Sequence, residues 1–175
     1  MERYQTIRAY SAGGVVFRIA TLLTHEKESV EARFIASVGA ETSKRTSVEV
    51  ALVGWSQQGL WTLPKGTPCS GETIEQVAAR EVREETGLEV HLIAYIGAIS
   101  YSFIRDQVRY YKQVRHFLFE AVGGDITLHD HEYDRVAWFP LPEACRRVSY
   151  ANEANILSQA EDIVQRWLKR QQNEG

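Results

Sequence analysis

The sequence of 175 residues predicts a protein of the α+β class, and the order of its apolar patterns carries that prediction. Strand patterns, in which apolar residues alternate or form short runs, occur on both sides of a central segment. In that segment Ile74, Val77, Ala78 and Val82 recur at helical spacing, and a second helical stripe lies near the carboxyl end. Two strands, a helix, several strands and a helix are therefore expected in this order.

The first half of the chain contains one segment with an ambiguous pattern. We expect strands at residues 8–19 and 48–55. Residues 20–47 resemble a surface insertion, polar at its start and again at residues 39–47, where we expect a turn or loop. Residues 30–38 alternate apolar and polar, which favours a half-buried strand, with a short helix as the alternative. A flap over a substrate or a dimer contact is the functional alternative for the insertion.

The second half of the chain predicts a regular succession of elements. They are strands at residues 88–103 and 108–122 around a turn at Arg105-Asp106, a strand at 135–139, a short helix with Pro142 at its first position, and a last helix capped by Asn152. The apolar stripe of the last helix consists of Ile156, Leu157, Ala160, Ile163, Val164, Trp167 and Leu168.

The central helix has clear start and stop signals. Thr73 and Gln76 form a capping box, so we expect the helix to begin there. Gly87 is suited to the position just after the helix, where a positive φ angle costs glycine little. Residues 66–72 before the cap have the composition of a loop. The stretch from residue 66 to residue 88 is therefore predicted to be a loop, a helix and a second loop.

Three glutamates on this helix predict a metal site. Glu81, Glu84 and Glu85 have i, i+3, i+4 spacing, which places them on one helix face, and we expect that face to point away from the core. Like charges at this spacing repel by roughly a few tenths of a kcal/mol per pair, so helix stability alone does not favour them. A hard divalent cation prefers oxygen ligands and converts the repulsion into ligation.

The stretch at 66–88 resembles the signature of the Nudix hydrolases, G-x5-E-x7-R-E-U-x-E-E-x-G-U, in which U is a bulky aliphatic residue. Every position is matched, by Gly66, Glu72, Arg80, Glu81, Val82, Glu84, Glu85, Gly87 and Leu88. The resemblance implies an α/β/α sandwich with a mixed β-sheet between helices. It also implies a pyrophosphatase that hydrolyses a phosphoanhydride bond in a nucleoside diphosphate linked to another moiety.

The same resemblance implies a role for each residue of the signature. Glu81 and Glu85 are the expected ligands of Mg²⁺, with Mn²⁺ as the alternative metal, and Glu84 and the carbonyl of Gly66 lie close to the metal. Glu81 and Glu84 are also expected to be catalytic, because a bound divalent metal makes a water nucleophilic. Glu72 and Arg80 are expected to form an ion pair that braces the loop against the helix.

A further catalytic carboxylate is expected in the loop before the last predicted strand. The resemblance implies a glutamate some residues ahead of a tryptophan, and Glu132 lies six residues before Trp138. Asp130 and Asp134 are alternatives, and a solvated acidic loop without function is left open. The neighbouring histidines, His129 and His131, are expected at the surface, with a transition-metal site as the alternative.

The substrate prediction depends on residues outside the signature. Lys65 precedes Gly66, and in the resembled family this Pro-Lys-Gly sequence is common among hydrolases of diadenosine polyphosphates, so diadenosine tetraphosphate is the first candidate. Tyr111, Lys112 and Arg115 are expected to contact a base and phosphates, with ordinary sheet positions as the alternative. For Lys65 the alternative is a salt bridge with a carboxylate of the signature.

Three other functions remain open at this point. Two are enzymatic: a pyrophosphatase of nucleoside triphosphates that removes oxidised nucleotides, and a hydrolase of nucleotide sugars such as ADP-ribose. The third is a ligand-sensing domain without catalysis, for which eroded glutamates and an attached DNA-binding segment would be expected.

The net charge of the sequence indicates which class of partner to expect, and its cysteine content indicates the cellular compartment. We expect one domain over residues 1–175, with 44% hydrophobic and 25% charged residues. The net charge of −3 gives no electrostatic argument for a nucleic-acid polymer or a membrane, so a small nucleotide is the expected partner, with a homodimer left open. Cys69 and Cys145 are expected to be free thiols in a reducing cytoplasm, and neither a signal peptide nor a membrane span is expected.

Overall fold

The computed structural model describes residues 5–24 and 43–174. Within these ranges the elements are β1 Gln5–Thr24, β2 Ser43–Trp55, β3 Leu60–Thr62, β4 Lys65–Gly66, α1 Ile74–Thr86, β5 Leu88–Arg105, β6 Val108–Gly124, a 3-10 turn at Ile126–Leu128, β7 Arg135–Pro140, α2 Leu141–Arg147 and α3 Ala151–Glu174.

The described strands form one mixed sheet. The main order is β3-β2-β1-β6-β5, with β4 added beside β1 and β7 beside β2. Strands β1 and β6 run parallel, and every other pair is antiparallel. A parallel pair needs a crossover connection, and α1 lies in the chain between these two strands. The mixed sheet predicted from the resemblance is confirmed.

Helices cover both faces of the sheet, because each face carries its own cluster of apolar side chains. On one face α1 packs on the sheet, through a cluster of Ala12, Val16, Ala51, Val77, Ala78, Val82, Phe117 and Phe119. On the other face α2 and α3 pack, through a cluster that includes Val15, Phe17, Val50, Leu52, Leu118, Leu141, Leu157, Ala160 and Val164. Successive strand residues point to opposite faces, which explains why neighbours such as Val15 and Val16 belong to different clusters. The predicted sandwich is confirmed.

The long hairpin of β1 and β2 corrects the loop predicted at residues 39–47, because residues 43–47 are strand. Ala20 to Thr24 pair with Ser47 to Ser43 in antiparallel register, so both ends of the predicted insertion are strand. Backbone hydrogen bonds between paired strands form whatever the side chains are, so a polar composition did not prevent pairing. The strand predicted at residues 30–38 lies outside the described residues.

Three predicted boundaries are shifted by one or two residues. The β5–β6 turn is formed by Asp106 and Gln107, with φ angles of 51° and 59°, as in a two-residue hairpin whose central residues both have positive φ. Helix α2 begins at Leu141, so Pro142 is its second residue, where a missing N–H is equally harmless. Helix α3 begins at Ala151, so Asn152 lies inside the helix and does not cap it.

Candidate functional site

Helix α1 is held at both ends by the residues that the sequence predicted. The side chain of Thr73 accepts from the N–H of Gln76 at 3.3 Å, and the Gln76 side chain accepts from the N–H of Thr73 at 2.9 Å. At the other end Gly87 has a φ angle of 74° and donates to the carbonyl of Arg83 at 2.8 Å. A Cβ atom on Gly87 would lie 2.3 Å from the carbonyl oxygen of Asp125, so glycine is required there.

Glu81 packs its carboxylate directly on the backbone of Gly66. A Cβ atom on Gly66 would lie 2.1 Å from the carboxyl carbon of Glu81, so only glycine permits this approach. Glu81 is itself buried. The first residue of the signature and its central glutamate therefore meet in space, although fifteen positions of sequence separate them.

Glu85 is completely buried, which corrects the expectation that all three glutamates face away from the core. Its Oε2 atom accepts a hydrogen bond from the backbone N–H of Lys65 at 2.9 Å. Its Oε1 atom is buried and has no hydrogen-bond partner among the described residues. Helix α1 packs on β4 through the side that carries Glu85. The backbone of this short strand supplies the polar partner, the N–H of Lys65.

Glu84 has a different environment from the other two glutamates. Its side chain is 50% exposed, and its Oε2 atom lies 3.2 Å from Nη1 of Arg80. The i, i+3, i+4 spacing therefore gives two buried carboxylates and one at the surface. Within residues 5–24 and 43–174 no three acidic, histidine or cysteine side chains already converge on one point as a complete metal site.

Arg80 connects the loop before α1 to the acidic face of the helix. Its Nε and Nη2 atoms donate to the two carboxylate oxygens of Glu72 at 2.6 and 3.0 Å, a bidentate pair. Nη2 also donates to the carbonyl of Thr67 at 3.0 Å, and Nη1 donates to Glu81 at 2.8 Å. The guanidinium and the N–H of Cys69 lower the pKa of Glu72 to about 2. The geometry predicted for the Glu72–Arg80 pair is present, and Arg80 also orients Glu81.

Burial makes the charged forms of Glu81 and Glu85 costly. Burial raises the pKa of Glu81, against the opposing effect of Arg80. Burial raises the pKa of Glu85 to about 9, and the hydrogen bond from Lys65 opposes this only in part. Two buried carboxylates with an unpartnered oxygen are the donor set that a hard divalent cation prefers. The residues present therefore fit such a cation.

The loop at residues 129–134 brings a further carboxylate near this pair. The carbonyl of Glu132 accepts from the indole of Trp55 at 2.8 Å, and its N–H donates to Asp130 at 3.0 Å. The charge of Glu132 contributes to the raised pKa of both Glu81 and Glu85, so its carboxylate lies within electrostatic reach of them.

The two alternatives to Glu132 have structural partners instead. Asp134 accepts from the N–H and the hydroxyl of Ser56, at 2.8 and 3.0 Å, and so holds the β2–β3 turn. The side chain of Asp130 accepts from the N–H of Glu132 within its own loop. His131 is exposed as predicted, whereas His129 is half-buried and contacts the carbonyl of Asp130.

A cavity of about 420 Å³ opens between the sheet and the start of α3, with Lys65 in its wall. Its aromatic lining consists of Trp55, Tyr101, Tyr133 and Tyr150, and its polar lining includes Lys65, His116 and Glu153. Burial and the nearby charges of Glu85 and Glu132 raise the pKa of Tyr133, so this wall of the cavity lies within electrostatic reach of both carboxylates.

Two buried polar residues of this cavity were missed by the sequence prediction. Glu153 accepts from the hydroxyl of Thr62 at 2.7 Å, and burial raises its pKa. His116 is completely buried, and neither ring nitrogen has a well-formed hydrogen bond within the described residues. Burial and the charge of Lys65 lower the pKa of His116 to about 4, so its ring is neutral at physiological pH. Period two along β6 places His116 on the same face as Lys112, and that signal could have identified it.

The residues predicted to bind substrate are divided between the two faces of the sheet. Lys112 shares the face of Val114 and His116, and burial and the charge of Lys65 lower its pKa. Tyr111 and Arg115 alternate with Lys112 and therefore lie on the opposite face. The ammonium group of Lys65 makes no ion pair with any described residue, so the alternative of a salt bridge to the signature is absent from this structure.

The fold and the loop–helix–loop with its buried carboxylates define a Nudix-type domain. A family model described as NUDIX domain matches residues 42–160, about two thirds of the chain. The chain therefore belongs to the NUDIX family. Within its described residues no helix is long and apolar enough to cross a membrane.

Two curated relatives come from mycobacteria. The chain is 33% identical over 162 residues to the MutT4 protein of Mycobacterium tuberculosis, covering 93% of this chain and 58% of that protein. It is 32% identical over 119 residues to the 8-oxo-(d)GTP phosphatase of Mycolicibacterium smegmatis, covering 68% of this chain and 35% of that protein. The chain thus spans less than two thirds of the length of these relatives.

Solved structures share the fold at lower sequence identity. An Ap4A hydrolase binary complex from C. elegans aligns with a TM-score of 0.60 and 20% identity, covering 89% of this chain and 97% of that one. A NUDIX hydrolase from Nitrosomonas europaea aligns with a TM-score of 0.58 and 17% identity, covering 89% of this chain and 90% of that one. Identity at this level establishes a common fold and leaves activity to the residues of the site.

Proposed function

We propose that this chain is a divalent-metal-dependent pyrophosphohydrolase that cleaves a phosphoanhydride bond in a nucleotide, with Mg²⁺ as the first candidate metal and Mn²⁺ as the second. The supporting observation is the burial of Glu81 and Glu85 against Gly66 and Lys65, with one carboxylate oxygen left unpartnered. Two buried acidic groups of this kind cost stability unless a cation accompanies them. A polyphosphate substrate is itself multiply charged and binds Mg²⁺ readily.

Different side chains of the site are proposed to bind the metal, to orient its ligands and to accept a proton. A divalent metal, when bound, supplies a water of lowered pKa and neutralises phosphate charge. Glu81 and Glu85 would hold it, and Arg80 and the N–H of Lys65 fix the orientation of these two carboxylates. Glu84 and Glu132 are both exposed and lie at the edge of the buried pair, so each is placed to accept the proton of the attacking water.

The first candidate substrate is a dinucleoside polyphosphate such as diadenosine tetraphosphate. Lys65 has a side chain that lines the aromatic cavity and makes no ion pair with a described residue, so its charge is available to a phosphate. Lys112 adds a second cation on the same face of the sheet. The cavity volume and its aromatic lining suit a nucleoside.

The second candidate is a purine nucleoside triphosphate, including oxidised forms. It is favoured by the activity for which the 8-oxo-(d)GTP phosphatase is named, since that protein aligns over 68% of this chain. A nucleotide sugar such as ADP-ribose is the third enzymatic candidate. A ligand-sensing role without catalysis is disfavoured because every glutamate of the signature is present.

A substrate panel tests these candidates against one another. Purified protein with Mg²⁺ or Mn²⁺ is incubated with diadenosine tetraphosphate, GTP, 8-oxo-dGTP and ADP-ribose, and products are separated by anion exchange. We expect the largest kcat/KM on diadenosine tetraphosphate, and a Glu81→Gln variant provides the inactive control. A larger kcat/KM on 8-oxo-dGTP would transfer the assignment to the second candidate. Failure to cleave any phosphoanhydride with either metal would refute the proposed activity.

Three further features belong to the same proposal. The chain acts as one catalytic domain of residues 1–175, without a nucleic-acid polymer as substrate, consistent with its net charge of −3. Both Cys69 and Cys145 are free, which is consistent with a reducing cytoplasm. Sedimentation velocity would show whether the protein is a homodimer.

A further inference from the structure

Three aromatic rings continue outward from the cavity along the same face of the sheet. Tyr101 lines the cavity. Its ring stacks with that of Phe103 at a centroid distance of 6.2 Å and an interplanar angle of 29°. Phe103 stacks in turn with Tyr110 at 5.1 Å and 12°. We call Tyr101, Phe103 and Tyr110 the aromatic ladder.

The ladder is not part of either apolar core. Tyr101 and Phe103 are each 40% exposed, and all three residues lie outside both core clusters. They sit on the distal parts of β5 and β6, where Tyr101 pairs with Lys112 and Phe103 pairs with Tyr110. The cross-strand pair of Phe103 and Tyr110 supports the hairpin. The ring surface that stays in water is continuous from Tyr101 to Tyr110, and such a surface is typical of a binding site.

The surroundings of the ladder are suited to an anionic ligand that carries a flat ring. The guanidinium of Arg105 lies 5.9 Å from the ring centre of Tyr110, and it also lies 3.8 Å from the carboxylate of Asp106. Lys112 projects beside Tyr101, and the charge of Lys65 is close enough to lower its pKa. Cations next to stacked rings are the combination that binds the bases and phosphates of nucleotides.

We infer that the aromatic ladder binds a second nucleobase, at the end of the polyphosphate chain opposite to the nucleoside in the cavity. This inference rests on the proposed phosphoanhydride hydrolysis and deepens it, since it requires a substrate with a base at both ends. Lys65 lines the cavity, and Lys112 pairs with Tyr101, where the cavity meets the ladder. The phosphates that link the two nucleosides would therefore have both cations along their path. Every base presents a flat face, so the ladder favours a second base without selecting which one.

A second copy of this chain is the competing occupant of the ladder. A two-fold contact would bring the same surface of both copies together, so Arg105 and Lys112 of both copies would be gathered in one interface. Nucleotide phosphates complement these charges, whereas a second copy repeats them. The charge pattern therefore favours the nucleotide.

Kinetics of Phe103→Ala on a matched pair of substrates tests the inference. The pair is diadenosine tetraphosphate and adenosine tetraphosphate, which share the polyphosphate chain and differ in the second nucleoside. We expect a loss of about tenfold or more in kcat/KM on the dinucleotide and less than about twofold on the mononucleotide. Ile104→Ala is the control, because Ile104 is the adjacent exposed apolar residue, 52% exposed, on the opposite face of the same strand.

Three outcomes would overturn the inference. Equal losses on both substrates, or no loss on either, would remove the second base from the ladder. A change of sedimentation coefficient in Phe103→Ala with an unchanged ratio of kcat/KM would assign the ladder to a second copy.

A wild-type protein that cleaves neither substrate would refute the first candidate substrate but not the ladder. The dissociation constants of the same two ligands, measured by calorimetry on wild type and Phe103→Ala, then decide the matter. A selective weakening of dinucleotide binding supports the ladder, and equal constants refute it.

Discussion

The backbone N–H of Lys65 donates a 2.9 Å hydrogen bond to the carboxylate of Glu85, joining the strand before the signature to the last turn of its helix. This bond fixes one carboxylate oxygen inside the protein, while the other oxygen has no partner among the described residues. The neighbouring Glu81 is held from the other side by Arg80 and by the bare backbone of Gly66. Glu81 and Glu85 are therefore preorganised by the backbone of Gly66 and Lys65, fifteen and twenty residues earlier in the chain, and by the adjacent Arg80.

Glu85→Gln should abolish turnover without unfolding the metal-free protein. We expect a loss of more than about a hundredfold in kcat, because a negative ligand of the metal is removed. In EDTA the melting temperature should be unchanged or higher, because burial disfavours the charged carboxylate that glutamine replaces. We expect Mg²⁺ to raise the melting temperature of the wild type and to leave that of Glu85→Gln unchanged.

Glu84→Gln is the matched control for that experiment. It should also reduce kcat by more than about a hundredfold if Glu84 contacts the metal or its water, yet its melting temperature in EDTA should equal that of the wild type because the side chain is half exposed. Near-normal Mg²⁺-dependent activity in both variants would contradict the mechanism.

Arg80→Ala should lower both activity and stability. The substitution removes the bidentate pair with Glu72 and the contacts with Thr67 and Glu81, so the loop before α1 loses its attachment. We expect the melting temperature to fall by about a few degrees, more than for Glu84→Gln. Arg80→Lys keeps the charge but not the fork of donors, and should lie between wild type and Arg80→Ala. A larger thermal shift in Glu84→Gln would count against the brace.

Local signals in the sequence were enough to predict both ends of helix α1. They did not predict which of its glutamates are buried, because that depends on a strand distant in the sequence. The capping box at Thr73 and the glycine at position 87 act within a few residues, so both ends of the helix were predicted correctly. The burial of Glu85 depends on β4, twenty residues earlier in the chain, and helical spacing contains no information about that contact. Spacing alone therefore predicted one acidic face, whereas packing separated Glu84 from the other two glutamates.

The sequence alone could have shown that the residues predicted to bind substrate lie on opposite faces of the sheet. Tyr111 and Lys112 are consecutive on a predicted strand, so the two-residue period of a strand already requires opposite faces. The cavity itself could not be predicted, because His116 and Glu153 meet there only after β6 and α3 have packed on the same side of the sheet.

His116 should make stability depend on pH between about 6.5 and 4. Its pKa is lowered to about 4 by burial, below the ordinary value of 6.5, so the unfolded chain binds the proton more readily. The contribution of the neutral ring is fully present above pH 6.5 and is lost as the pH falls towards 4. The full difference corresponds to about 3 kcal/mol of unfolding free energy.

Urea unfolding of wild type and His116→Gln at pH 7, 6, 5 and 4.5 measures this effect. The difference between the two proteins is the quantity to follow, because Glu81 and Glu85 titrate with the opposite sign and cancel in the comparison. We expect the advantage of wild type to shrink as the pH falls. If the difference in unfolding free energy between the two proteins does not change with pH, the pKa of His116 is the same in the folded and unfolded states, and the prediction is wrong.

Lys65→Ala should discriminate between long and short polyphosphate chains. The ammonium group lines the cavity without an ion pair to a described residue, and as a point charge on a flexible stem it can reach a phosphate remote from the metal. A charge-assisted contact contributes about 1.5–3 kcal/mol. In steady-state kinetics we therefore expect kcat/KM on diadenosine tetraphosphate to fall roughly ten- to a hundredfold, and clearly less on ADP-ribose, which has two bridging phosphates.

The backbone of Lys65 provides the internal control for this prediction. Its N–H holds Glu85 in any side-chain variant, so the Mg²⁺-induced rise in melting temperature should be the same in Lys65→Ala as in the wild type. A reduced rise would mean that the variant disturbs the acidic pair, and its kinetics would then report on metal binding. If that rise is intact and the losses on the two substrates are equal, Lys65 acts on a phosphate common to both. The preference for dinucleoside polyphosphates would then depend on the aromatic ladder alone.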